Sequence, residues 1–161
     1  MSHNITVNGG SSVLLPTAGK YCDRDIIITA QSDNSALDGV IDGSVTEITS
    51  NAESVRPFAF YYHENLTSVN LPMATSIEES AFDECGNLTN ANLPMVASMG
   101  VNAFYNCKNL TSVNLPMVTS IINYGFSNCN KLKAVILRSN RICSLAHTNA
   151  FNNCYHILGK V

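Results

Sequence analysis

Hydrophobic positions recur along this chain at a fixed interval. Phe60, Phe82, Phe104 and Phe126 are 22 residues apart, and so are Leu66, Leu88, Leu110 and Leu132. The text between them repeats: NLTSVNLPMATSIEESAFDEC from Asn65, NLTNANLPMVASMGVNAFYNC from Asn87, NLTSVNLPMVTSIINYGFSNC from Asn109. A fourth copy from Lys131 carries three extra residues, and a degenerate one from Gly43 has His63 where later copies have Cys. Within a unit, Leu66, Val69 and Leu71 alternate with polar residues, which predicts a short strand. Pro72, Pro94 and Pro116 follow and stop it, because proline has no N–H for a continuing ladder. A second apolar stretch near Ile77, Met99 and Ile121 comes next. The pair Ala81-Phe82 and its counterparts then lead into a turn or one-turn helix ending at Cys. No such unit buries its own apolar face, so the units must stack, Leu on Leu and Phe on Phe, about 4.7–4.9 Å apart.

Residues 1–32 lie outside this period. They predict strands at Asn4–Val7, Ser12–Leu15 and Asp25–Ala30, with Gly9-Gly10 and Pro16–Gly19 as turns, hence a small β module. Residues 33–42 read as a linker, and 43–161 as a solenoid of about five 22-residue coils.

Composition sharpens this picture. Charged residues make up 13%, about half the usual share of about 25%, and Asn, Ser and Thr take their place, favouring tight turns over amphipathic helices. No apolar run approaches the roughly 18 residues that span a bilayer, so membrane insertion is not expected. The N-terminus has no basic segment followed by an apolar one, so no secretory signal is read; the location is cytoplasmic, or, as favoured here, virion or extracellular, reached by another route or after loss of a signal. All twelve acids precede Cys85, giving −9 for residues 1–84 (twelve acids, three bases), while the rest carries six bases and no acid, +6. Stacked coils turn this into an end-to-end dipole, whose readings are two solvated ends without consequence, homo-oligomers through the solenoid ends, or a basic end facing an anionic surface.

Candidate binding residues are the strand positions that alternate with the core set: Ser68, Asn70, Asn90, Asn92, Ser112 and Asn114. They make a flat, uncharged polar row suited to a protein or a cell-surface glycan. Cys85, Cys107, Cys129 and Cys154 share one repeat position. Stacked side chains run parallel, whereas a disulfide needs converging ones, so they read as small buried hydrophobes rather than disulfides or metal ligands. Asn65, Asn87 and Asn109 form N-L-T sequons because the repeat generates them; they read as an amide ladder on neighbouring turns. No catalytic motif is present, and Cys143 with His147, or Cys154 with His156, fits a terminal cap better than a nucleophile-base pair. No enzyme, cofactor or metal is expected, and the basic end (Lys131, Lys133, Arg138, Arg141) is too sparse for nucleic acid.

The pattern C-x-x-L-x-x-V-x-L-P…A-F-x-x-C over about residues 43–157 resembles the BspA-like leucine-rich repeats of bacterial surface, protist and prophage-encoded proteins. The resemblance implies a leucine-rich-repeat solenoid, a right-handed superhelix of short parallel strands with short helical or 3-10 turns, behind the small N-terminal β module. The chain departs from it in the fourth repeat, where Arg138 replaces the proline and three residues are inserted before Phe151. The phrase LPTAGKYCDRDIIITA resembles a module of phage tail and structural proteins of gut Firmicutes. Together they imply a binding module on a phage or prophage tail that contacts a host surface or partner protein. The alternatives are a BspA-type adhesin and an intracellular protein-binding scaffold.

Overall fold

The computed structural model describes residues 3–7, 12–15, 26–29, 36–37, 46–49, 53–137 and 149–155. β1 (His3–Val7) pairs antiparallel with both β2 (Ser12–Leu15) and β3 (Ile26–Thr29). β3 then pairs parallel with β5 (Glu47–Thr49), where the repeats begin. From there one strand per coil adds in register: β7 (Ser68–Asn70), β9 (Asn90–Asn92), β11 (Ser112–Asn114) and β12 (Ala134–Ile136), completing an eight-stranded sheet. A second, four-stranded parallel sheet follows the other apolar stretch: β4 (Ala36–Leu37), β6 (Ser54–Val55), β8 (Ser76–Ile77) and β10 (Ser98–Met99). The segment read as a linker thus contributes β4, which pairs with β6. Two residues are too few to show a period-2 pattern, so nothing in the text marks them as a strand.

The core is the repeat made solid. Leu66, Val69, Leu71, Ile77 and Phe82 are fully buried, as are their counterparts Leu88, Leu93, Phe104, Leu110, Val113, Leu115, Ile121 and Phe126. The phenylalanines form one column, Phe60–Phe82–Phe104–Phe126–Phe151, with centroids 5.1–5.5 Å apart and planes within 6–11° of parallel. Each offset stack adds about 0.5–1.5 kcal/mol beyond the burial of the rings. Phe151 keeps its place although the extra residues intervene, and the Phe126 N–H donates to the Ala150 carbonyl at 2.8 Å. Arg138 and the insertion itself lie outside the described residues.

The expected short helical or 3-10 turns are not formed; no helix occurs among the described residues. The segment from Arg56 to His63 and its counterparts is instead a run of consecutive turns. Ala59, Tyr61 and His63 N–H groups donate within the coil to the carbonyls three residues back. Phe58, Phe60 and Tyr62 N–H groups donate at 2.8–2.9 Å to Glu79, Ala81 and Asp83 of the next coil. This alternation needs left-handed residues four apart: Phe58 and Tyr62, Ser80 and Glu84, Asn102 and Asn106, Tyr124 and Asn128 all have φ between 50° and 62°. The physical reason is spacing. A helix is about 10 Å across, twice the strand separation, and would fan the coils apart on that side. The turn run matches the strand ladder coil for coil, so the phenylalanines stack at nearly the strand interval.

Side chains close the remaining gaps between coils. Thr67, Thr89 and Thr111 hydroxyls donate to the carbonyls of Thr46, Thr67 and Thr89 at 2.8–2.9 Å, and Thr75 and Thr119 repeat the device beside the second sheet. Asn106 donates to Glu84, Asn128 to Asn106 and Asn153 to Asn128, at 2.6–2.9 Å, along the left-handed column. Asn tolerates that conformation better than other side chains, so this column serves backbone and ladder together.

Phe104 has a ring on each side, so Phe104→Ala should cost about 3–5 kcal/mol in urea unfolding. A change under about 1 kcal/mol would mean that the column does not carry the core.

Candidate binding face

The register places the six candidate residues in two rows. Ser68, Asn90 and Ser112 are paired positions along the sheet, continued by Ala134; Asn70, Asn92 and Asn114 form the other row, continued by Ile136. Val69, Ala91 and Val113 between them are buried. Both rows therefore lie on the outer surface of the strands, as alternation requires. Asn90 and Asn92 are exposed and the other four half-buried.

The Asn row is built rather than merely exposed. Asn92 Nδ2 donates to Asn70 Oδ1 at 2.8 Å, and Asn114 Nδ2 to Asn92 Oδ1 at 3.0 Å. These bonds fix every amide in one orientation. Each amide nitrogen has two N–H groups and each amide oxygen two lone pairs, so ladder bonding leaves capacity for an incoming polar group. Orientation is then settled before binding, and less side-chain freedom is lost on contact.

Beside this row runs a feature that the sequence reading passed over. Met73, Met95 and Met117 follow the three prolines and are exposed, one per coil. Their signal was in the text, the thrice-repeated L-P-M. The proline turn after buried Leu71 carries Met73 to the outside. An exposed row of flexible thioethers is unusual surface and adapts to apolar contacts. The face therefore offers fixed amides flanked by adaptable apolar side chains. Glu47 lies at one end of the strand row, and exposed Lys131 and Lys133 near the other.

The remaining candidates take structural places. Asn87 Nδ2 donates to the Glu64 carbonyl at 2.8 Å and Asn109 Nδ2 to that of Gly86 at 2.9 Å, so these sequon amides satisfy the neighbouring turn. Cys85, Cys107, Cys129 and Cys154 are buried and unbridged. Each thiol donates to a phenylalanine carbonyl one coil back (Phe60, Phe82, Phe104 and Phe126) at 2.9–3.1 Å. Burial pushes the Cys85 thiol up to about 12 and raises Cys107 and Cys129 as well. A thiol held protonated is a poor nucleophile. No group of His, Cys, Asp and Glu suited to a metal occurs among the described residues. Cys22, Cys143, His147 and His156 lie outside them.

Asp83 is the buried acid that the repeat does not explain. It shares the repeat position of Tyr61, Tyr105 and Ser127, and its Oδ1 has no hydrogen-bond partner. Burial raises its pKa to about 6, opposed by a Ser80 hydrogen bond and assisted by the nearby Glu84 charge. A raised carboxyl pKa costs stability only where the unfolded chain ionises first. No cost therefore applies below pH ~4, it grows between about 4 and 6, and it is full above. Asp83→Asn should stabilise the fold by about 1–3 kcal/mol at pH 7.5 and by almost nothing at pH 4. Urea titrations at both values check this, and an equal effect at the two would remove ionisation as the cause.

The family model described as the BspA type leucine rich repeat region matches residues 40–158 in six copies. A leucine rich cell surface protein from Faecalibacterium prausnitzii A2-165 is 19% identical, with a TM-score of 0.60 over 98% of this chain and 53% of that one. A leucine-rich repeat protein from Bacteroides ovatus ATCC 8483 is 23% identical, with a TM-score of 0.56 over 83% of this chain and 40% of that one. The present chain thus spans about half the length of these solved structures or less. At such identities they establish the shared fold. None of the curated proteins compared matches the sequence.

Proposed function

The chain belongs to the BspA-type leucine-rich-repeat family, and on that premise we propose that it is a non-catalytic recognition module that binds through its strand face. The observation that carries this reading is the amide ladder Asn70–Asn92–Asn114, held at 2.8 and 3.0 Å on the outer surface of the sheet. Ser68, Asn90 and Ser112 extend the polar surface, and Met73, Met95 and Met117 supply its apolar margin. A protein surface or the hydroxyl-rich surface of a cell-envelope glycan meets this pattern of polar and adaptable contacts.

We place the module on an external surface, either of a bacterial cell or of a phage particle. The family and the cell-surface protein from Faecalibacterium prausnitzii support the bacterial adhesin reading. The phage reading rests on the N-terminal phrase alone, and none of the comparisons adds to it. Both readings use the same face. Association through the acidic and basic ends of the solenoid is compatible with either.

The test is a glycan-array and cell-envelope binding screen of the wild type beside Asn70→Lys/Asn92→Lys/Asn114→Lys. Retained binding in the wild type with at least a tenfold loss in the variant is expected. The ladder bonds lost should cost the fold no more than about 1–3 kcal/mol, so unfolding curves show whether the variant is folded. Full binding by the folded variant would remove the strand face as the site.

A further inference from the structure

The turn side of the first full coil carries a second surface. Phe58, Tyr61 and Tyr62 are 54%, 48% and 60% exposed, yet they touch one another. Phe58 and Tyr61 meet edge to face at 6.0 Å, and Tyr61 and Tyr62 lie 6.2 Å apart. Two of the three stand in the left-handed backbone conformation, with φ of 58° and 62°. Bulky side chains are disfavoured there. Other coils fill those positions with Ser80, Asn102, Glu84, Asn106 and Asn128, and only Tyr124 repeats the aromatic choice. The first coil thus places rings in solvent at positions where the repeat's own Asn is cheaper.

The surroundings are acidic. Residues 53–84 hold six carboxylates and one guanidinium, that of Arg56. Glu64 follows Tyr62 in the same turn and is exposed. The Glu79 backbone carbonyl accepts the Phe58 N–H at 2.9 Å, and Glu79 is exposed. Glu84 holds Tyr62's own position in the next coil, and Asp83 holds Tyr61's. Asp83 is only 8% exposed and its Oδ1 has no hydrogen-bond partner, so a buried carboxyl oxygen lies at Tyr61's register position. Ring faces attract cations through their quadrupole, and arginine above all stacks on them. Exposed aromatics are also the side chains that anchor protein interfaces.

We propose that Phe58, Tyr61 and Tyr62, together with Glu64, Glu79 and Glu84, form a docking surface for an arginine- or lysine-bearing segment of a partner protein. The surface belongs to the turn run and is separate from the strand face. The rings take the stems and planar faces of the basic side chains, and the carboxylates take their charge. The segment it selects is extended and basic.

The experiment uses the full chain and a fluorescein-labelled (Arg-Gly)4 peptide, with (Gln-Gly)4 as the neutral control, in anisotropy titrations at 150 mM NaCl. The key variant carries residues that other coils use at these positions: Phe58→Asn, Tyr61→Ser and Tyr62→Asn. It should lose at least tenfold in affinity while its melting temperature stays level or rises, because strain is relieved. Tyr62→Asn alone should lose several-fold. Removing charge elsewhere, with Glu47→Gln/Glu53→Gln, should change affinity less than twofold. Equal losses in the aromatic and the charge-control variants would overturn the proposal, since attraction would then be general. So would unchanged binding by the aromatic variant. A wild type that ignores (Arg-Gly)4 but binds phosphatidylcholine vesicles would overturn the protein partner in favour of a quaternary amine.

Discussion

The distance between neighbouring coils, about 4.8 Å as in any sheet, is the constraint on which the rest of this structure depends. A parallel strand ladder fixes it on one side. Every other element of the coil must then accept the same interval or be strained. The stacked phenylalanines accept it, with centroids 5.1–5.5 Å apart. So do the thiol column, the threonine hydroxyls and the two amide ladders. The turn run accepts it only by alternating hydrogen bonds within and between coils, at the cost of left-handed residues. Helices of the kind found in broader repeats do not fit it.

This constraint explains what could be read in the text. A 22-residue period with invariant Leu and Phe declared the stacking, the strand positions and the buried set. Each of these follows from side-chain type alone. The thiol column was also legible, because parallel side chains cannot bridge. The turn run was not. Its sequence, Ala-Phe-x-x-Cys with Gly125 for one Ala, fits a turn and a one-turn helix alike. The hydrogen bonds that decide the matter come from the next coil. β4 was invisible for the same reason: Ala36 and Leu37 become a strand only because Ser54 and Val55 lie beside them. The methionine row failed differently. Met73 is apolar and follows buried Leu71 by two residues, and only the geometry of the proline turn places it outside.

The candidate face was legible as positions but not as a device. Alternation put Asn70, Asn92 and Asn114 on the surface; only the coordinates showed their amides joined into a line. That joining gives the face direction, since Asn92 and Asn114 each donate from Nδ2 to the Oδ1 of the preceding coil's Asn. Conversely, Phe58 and Tyr62 stand out only once their backbone is seen. In the sequence they are two aromatics in a degenerate repeat, whereas in the structure they occupy a conformation that the next two coils meet with Ser, Glu and Asn.

Equal spacing on all sides of the coil has a genetic counterpart. A coil contacts only its two neighbours, and each presents the same donors and acceptors at the same places. Unequal recombination between the near-identical stretches beginning at Asn65, Asn87 and Asn109 would insert or remove one whole unit and rejoin the ladders without a break. Each such event would lengthen or shorten the amide line by one rung and the methionine row by one thioether. The reach of the face is therefore quantised, open to change by copy number in a single step, while every rung already present keeps its geometry.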